Sequence, residues 1–210
     1  MVTITRKNRE FNMQSCFGPV INKLLPLKKQ KNLKKEGNKR SHGTIMVKVI
    51  VLGSGSVGKT NIIRRYVHNE FNAEHEPTTE DVYENYFTSK RNKDSILFKI
   101  YDTAGSDQFP AMKRLTITQG DAFLVLYAVD DRESFNEAKT ICREVFELKS
   151  DHVKSIMLVG NKCDLPTSGQ AVSTEEASLA AKHLKCKFTE SSARLGVNVE
   201  KIFRETLNDF

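Results

Sequence analysis

The sequence predicts an α/β fold: a six-stranded, mostly parallel sheet with helices on both faces, preceded by a disordered basic N-terminal tail. Three observations carry that expectation. From Met46 onward, short apolar runs alternate with stretches of helical period, the pattern of parallel strands joined by crossover helices. Two of the runs, "AFLVLYAVD" and "SIMLVGN", are continuously apolar, as strands buried on both faces are. The first run ends in a glycine-rich turn followed at once by a helical pattern, and α/β sheets place their ligands at such carboxyl ends.

The 210 residues suffice for one domain with a substantial core plus an appendage. Residues 1–44 hold eleven Lys and Arg against two Glu, so within a net charge of +7 the remaining 166 residues carry −2. The segment "LPLKKQKNLKKEGNKRSHG", Leu25 to Gly43, combines few apolar residues with much like charge. It cannot bury enough surface to offset its ordering entropy, and disorder is expected there. The division is therefore a disordered basic extension over 1–44 and a folded domain over 45–210.

The stretch "CFGPVINKLLPL" is too short to span a bilayer and is interrupted by Pro19, Lys23 and Pro26. It also lacks the continuous apolar region and small-residue cleavage site of a signal peptide. Cys16, Cys142, Cys163 and Cys186 show no paired spacing, which suits a reduced compartment. A cytoplasmic location is expected, with the basic extension a candidate for peripheral contact with the anionic cytoplasmic face of a membrane.

The elements follow in order. "MVKVIVLG" reads as a buried strand, and Ile62, Ile63, Tyr66 and Val67 mark the helix after it. "VYENYF" alternates like an edge strand, and "SILFKIYD" is its neighbour. "AFLVLYAVD" is the candidate for the sheet centre. Ser134 with Glu137 has the pattern of a capping box, before a stripe of Phe135, Ala138, Ile141, Cys142, Val145 and Phe146. "SIMLVGN" is the next strand, Ser173 with Glu176 opens another helix, "CKFTESSA" is a short strand, and Val199, Ile202, Phe203 and Leu207 mark a last helix.

The chemistry lies just after the strands. "GSGSVGKT" comprises Gly53, Ser54, Gly55, Ser56, Val57, Gly58, Lys59 and Thr60 and satisfies G-x-x-x-x-G-K-[ST] between a strand and a helix. Its glycines let backbone fold around a β-phosphate while the helix N-terminus points N–H groups at the anion. Lys59 supplies a point charge for the β and γ oxygens, and the Thr60 hydroxyl can bind Mg²⁺. The bland reading, a glycine-rich turn that binds nothing, does not account for the strand and helix on either side.

A phosphate loop alone does not separate kinases, ATPases and GTPases. "GNKCD", Gly160 to Asp164, follows a buried strand and matches the N-K-x-D motif of GTPases. An Asp164 carboxylate accepts from the ring N1–H and exocyclic amino group of guanine, a donor pair that adenine does not present. Asn161 would hold the N7 and O6 side, and Lys162 would lie along the ring.

With these motifs the chain resembles the Ras family of small GTPases over Val47 to Phe210, and the expected fold is its P-loop small G domain. The resemblance implies that "TESSARLG" gives a third base contact, the Ala193 N–H aimed at guanine O6 with Ser192 shaping the turn, and that Phe71 sets an aromatic edge against the base. "HEPTTEDVYE", His75 to Glu84, resembles the first switch, in which the Thr78 hydroxyl binds Mg²⁺ while a γ-phosphate holds the loop shut. "DTAG" then supplies Asp102, holding the metal through water, and Gly105, whose N–H meets the γ-phosphate. Glu76 to Tyr83 corresponds to the surface on which Ras-type effectors add a strand. "GSDQFPAMKRLTI" with the following "GDAFLVLY" is similar to the Di-Ras and Dexras/Rhes branches. The chain departs from the family in four places: Ser56 replaces a common glycine, His75 a tyrosine and Ser106 the water-orienting glutamine, and no lipidation box stands at the C-terminus.

The resemblance implies a GTP/GDP switch with Mg²⁺, in which Lys59, Thr78, Gly105 and Ser106 face the reacting phosphate, effectors meet the first switch, and an exchange factor and a GTPase-activating protein act on the cycle. Slow GTP hydrolysis is expected, because serine is too short to do the work of glutamine. The alternatives are a GTP-binding module with almost no turnover and, less well matched by the base motif, a P-loop kinase or ATPase. No nucleic-acid partner is expected.

Overall fold

The computed structural model describes residues 24–26, 44–73, 80–89, 95–105, 110–150 and 153–210. In chain order the elements are β1 Leu24–Pro26, β2 Thr44–Leu52, α1 Lys59–His68, β3 Glu80–Ser89, β4 Ser95–Thr103, α2 Pro110–Gln119 and β5 Ala122–Ala128. They continue with α3 Arg132–Lys149, β6 Ser155–Asn161, α4 Thr174–His183, β7 Lys187–Glu190 and α5 Val199–Leu207. The sheet order is β1-β3-β4-β2-β5-β6-β7. From β4 to β7 every neighbouring pair is parallel, and β3 runs antiparallel to β4.

Six of these strands are those the sequence predicts, with β2 and β5 as the middle pair of the six. The seventh, β1, is a three-residue strand within the basic extension expected from the sequence. β1 pairs antiparallel with the end of β3, Leu24 opposite Ser89 and Pro26 opposite Phe87. Three residues cost little entropy to order and cover unpaired groups on the sheet edge, and a proline is tolerated there. The rest of the expected extension, up to residue 43, lies outside the described residues.

Alternation along each strand divides the core into two layers. Val47, Val49 and Val51 of β2 with Leu124 and Leu126 of β5 pack against Ile62 and Ile63 of α1 and Ile202 and Phe203 of α5. Ile50 and Leu52 with Phe123, Val125 and Tyr127 face Phe135, Ile141, Cys142 and Ala177 from α3 and α4. Every residue of β5 and β6 is buried, which explains why their sequences do not alternate. Tyr66 of α1 stacks on Phe203 of α5 with ring centroids 3.8 Å apart.

One cap differs from the sequence reading. Asp131, not Ser134, caps α3, its carboxylate accepting from the N–H groups of Glu133 and Ser134. Ser134 instead lies inside the first turn, donating to the Asp131 carbonyl at 2.8 Å and accepting from the Ala128 N–H at 3.1 Å, which ties the helix to the end of β5. Two capping residues three apart satisfy the pattern, and the earlier one wins because its carboxylate serves two orphan donors. Ser173 caps α4 as expected, accepting from the Glu176 N–H. Among the described residues no helix is long and apolar enough to cross a membrane.

Candidate nucleotide site

Because β4, β2, β5, β6 and β7 are parallel along the sheet, their carboxyl ends meet at one edge of it. There the turn Gly53–Gly58 leaves β2, Ala104 and Gly105 leave β4, Lys162 to Asp164 leave β6, and Ser191 to Ala193 leave β7.

The phosphate loop closes on its own lysine. Lys59 is 6% exposed and donates Nζ to the Gly53 carbonyl at 2.7 Å and the Ser54 carbonyl at 2.8 Å. Burial pushes the pKa of this ammonium down to about 8, with the carboxylates of Asp102 and Glu137 acting the other way. Gly58 caps α1 at φ 93°, and a Cβ there would overlap the Asn161 amide, so only glycine fits. Ser56 takes the left-handed conformation at φ 61° with a side chain in place, a cost of about 1–2 kcal/mol for an L-residue.

Asp102 is 1% exposed, and neither carboxylate oxygen has a hydrogen-bond partner of normal geometry among the described residues. Burial pushes its carboxyl up, while the Thr60 hydroxyl and the Lys59 ammonium beside it oppose that shift. A buried carboxylate of this kind wants a cation. No cluster of three His, Cys, Asp or Glu exists among the described residues, so an ion here would rest on hydroxyl, carboxylate, water and ligand oxygens, the hard set that suits Mg²⁺. Gly105 lies against the loop: a Cβ on it would meet Gly55 Cα at 2.5 Å and Lys59 Nζ at 2.8 Å. The chain after β4 can approach the phosphate site this closely only as bare backbone.

Asn161 joins the two ends of the site. It is 2% exposed, donates Nδ2 to the Val57 carbonyl at 2.8 Å, and accepts at Oδ1 from the Ala193 N–H at 3.1 Å. Ser192 donates Oγ to Asp164 Oδ1 at 2.6 Å and accepts from the Leu195 N–H at 3.0 Å, so the turn and the carboxylate are fixed together. Lys162, at φ 69°, pairs with Asp130 at 3.3 Å. Phe71 is 38% exposed on the segment after α1, next to Asn72, whose backbone Asn61 holds.

Lys59, Thr60, Asp102 and Gly105 thus stand at one end, and Asn161, Asp164, Ser192 and Ala193 at the other, tied through Val57. Thr78, Ser106 and the residues from His75 to Thr79 lie outside the described residues; Glu80 to Tyr83 begin β3. Sequence reasoning missed the Ser54 hydroxyl donating to the Glu137 carboxylate of α3, and Asn61 and Arg65 of α1 gripping neighbouring loops. Only the spacing of Asn61 and Arg65, four apart on one helix face, is visible in the sequence.

The sequence model of the Ras family matches residues 48–210. The chain belongs to the Ras family. Among Ras-family relatives it is 42% identical to the GTP-binding protein Di-Ras2 of Mus musculus over 163 residues, 77% of this chain and 80% of the relative. It is 38% identical to Di-Ras1 of Homo sapiens over 161 residues, 76% and 79% of the two chains. With Rit2 of Rattus norvegicus it shares 35% identity over 164 residues, 78% and 74%. Within the Ras family of small GTPases these similarities place the chain in the Di-Ras/Rit branch.

Proposed function

We propose that the chain is a signalling switch that binds GDP and GTP with Mg²⁺, hydrolyses GTP slowly and contacts effector proteins in its GTP form. The placement of Asp164 carries the reading. Ser192 holds one of its oxygens at 2.6 Å, beside a loop that Asn161 ties to the phosphate loop. That gives a carboxylate acceptor edge across the site from the phosphate loop, where a nucleotide base would lie, and guanine supplies the matching donors.

In this reading the backbone of Gly53 to Gly58 and the N-terminus of α1 surround the β-phosphate, and Lys59 neutralises charge on the β and γ oxygens. Thr60, Thr78 and Asp102 would hold Mg²⁺, Asp102 through water. Bound there, the ion supplies positive charge to the β–γ bridge. Gly105 offers its N–H to the γ-phosphate. Asn161, Lys162, Asp164 and Ala193 hold the base, with Phe71 at its edge. Catalysis is positioning and charge neutralisation, since phosphoryl transfer asks little covalent chemistry of the protein. Ser106 is too short to hydrogen-bond both the attacking water and the γ-phosphate, so the water is left poorly oriented.

Ser106 also favours a second reading, a GTP-binding module with almost no turnover. Nucleotide released from purified protein, followed by single-turnover hydrolysis of bound GTP, separates the two. Slow conversion to GDP supports the switch, GTP retained unhydrolysed supports the module, and bound adenine nucleotide sinks both.

We further propose that Lys28 to Arg40 gives reversible attraction to anionic membrane, at about 1 kcal/mol per basic residue near the surface. Sedimentation with phosphatidylserine vesicles should then weaken steeply with salt. Binding that ignores salt, or that survives deletion of residues 1–44, overturns it.

A further inference from the structure

α1 presents Lys59 and Thr60 to the phosphates, but its later turn also reaches the base end. Arg65 donates Nε to the Ala193 carbonyl at 2.8 Å and a terminal nitrogen to the Arg194 carbonyl at 2.8 Å. Its other terminal nitrogen donates to the Asn69 carbonyl at 3.0 Å and to the Asn69 side-chain oxygen at 3.2 Å. Asn69 is the left-handed cap that ends α1 at φ 56°. One guanidinium therefore spans the end of α1 and the loop after β7. Four residues earlier, Asn61 donates to the Asn72 carbonyl at 2.8 Å and accepts from the Asn72 N–H at 3.0 Å, fixing the segment that carries Phe71.

We propose that Arg65 is a positioning residue for the guanine base, acting through Ala193. Ala193 is held from two sides: its N–H by Asn161 at 3.1 Å and its carbonyl by Arg65 at 2.8 Å. Asn161 Oδ1 and position 6 of the base would share the Ala193 N–H as a three-centre bond; with both peptide planes of Ala193 fixed, that N–H keeps the direction the sharing needs, and a donor fixed in advance binds without the cost of being ordered. The planar fork of arginine meets two successive carbonyls at once, whereas the lysine ammonium is a single point charge. The inference rests on the proposed guanine site, specifically on the Ala193 N–H facing position 6 of the base.

The test compares GDP, 6-thio-GDP and ADP on the full chain by competition against a fluorescent GDP. The thio nucleotide differs from GDP only at position 6, where sulfur is a weak acceptor. Wild type should prefer GDP over both competitors. Arg65→Met should weaken GDP by about tenfold, the equivalent of 1.4 kcal/mol, and 6-thio-GDP by clearly less, so that discrimination at position 6 shrinks. Arg65→Lys should fall between. Equal weakening of GDP and 6-thio-GDP, or none, overturns the inference and leaves Arg65 a structural brace. Wild type binding ADP as tightly as GDP would instead sink the guanine reading itself. Should Arg65→Met not fold, Arg65→Lys carries the same comparison: reduced discrimination at position 6 supports the positioning role, and unchanged discrimination overturns it.

Discussion

The side chain of Asn161 lies between Val57 and Ala193, with its amide donating to one and its carbonyl accepting from the other, at 2.8 and 3.1 Å. Neither bond is local in sequence. They connect the phosphate end of the site to the base end through a single buried residue.

Asn161→Ala removes both bonds and leaves a buried carbonyl and a buried N–H without their partner. At about 1–3 kcal/mol for each of the two groups left unsatisfied, the variant should lose about 2–6 kcal/mol of stability. Urea unfolding at one fixed GDP concentration measures it, since bound ligand itself shifts the midpoint. A loss below about 1 kcal/mol, less than one unsatisfied group costs, would mean that the loops stand without this link.

Asp164→Asn exchanges a charged acceptor for an amide. If Asp164 reads the guanine edge, GTP binding weakens by about 2–4 kcal/mol, for two charge-assisted bonds, and preference moves toward xanthine nucleotides. Titration with labelled GTP, XTP and ATP gives the answer, and unchanged GTP affinity removes the assignment.

Ser106→Gln restores a side chain long enough to orient the attacking water, and single-turnover GTP hydrolysis should rise by about ten- to a hundredfold. Gln108→Ala should change little. Wild-type turnover equal to that of a glutamine-bearing Ras domain would show that Ser106 is no handicap, and loss of activity in Gln108→Ala would make that glutamine the catalytic one.

Cys163 sits inside the base motif. Burial pushes its thiol up, and the nearby carboxylates of Glu190 and Asp164 add to the shift. The reactive species is the thiolate, whose share at any pH falls when the thiol is pushed up. Alkylation by iodoacetamide should therefore be slower than for a free cysteine at neutral pH, and its rate should rise with a midpoint higher than that of free cysteine. Peptide mass spectrometry across a pH series checks both points; a midpoint at or below the free thiol contradicts them.

Much of the site is legible in the sequence because its determinants are contiguous. Gly53 to Thr60 and Gly160 to Asp164 each announce themselves over a few residues, and the strands before them are apolar enough to place those motifs at one end of a sheet. What the sequence does not display are pairings across long separations. Arg65 meets Ala193 128 residues away, and Ser54 meets Glu137 83 residues away. Both depend on which helix flanks which strand, and no local pattern encodes that. The cap of α3 differs from expectation for another reason: Asp131 and Ser134 both satisfy the chemistry of an N-cap, and Asp131 takes the role because its carboxylate serves two orphan donors, leaving Ser134 to meet Ala128 at the end of β5. Thr78 and Ser106 rest on sequence alone, because both lie outside the described residues.

The ten residues of α1 extend for about 15 Å. Along that length the helix carries Lys59 and Thr60 at its first turn and the two loop-holding residues Asn61 and Arg65 beyond them. The residues proposed to support phosphate, cation and base are thereby mounted on one stiff rod, packed against α5 through the Tyr66 and Phe203 rings. A rod of this kind works as a lever. In the proposed switch, tilting its exposed end at His68 and Asn69 would disturb the grip on the base and the grip on the phosphates in a single stroke, and so would loosen the nucleotide from a distance.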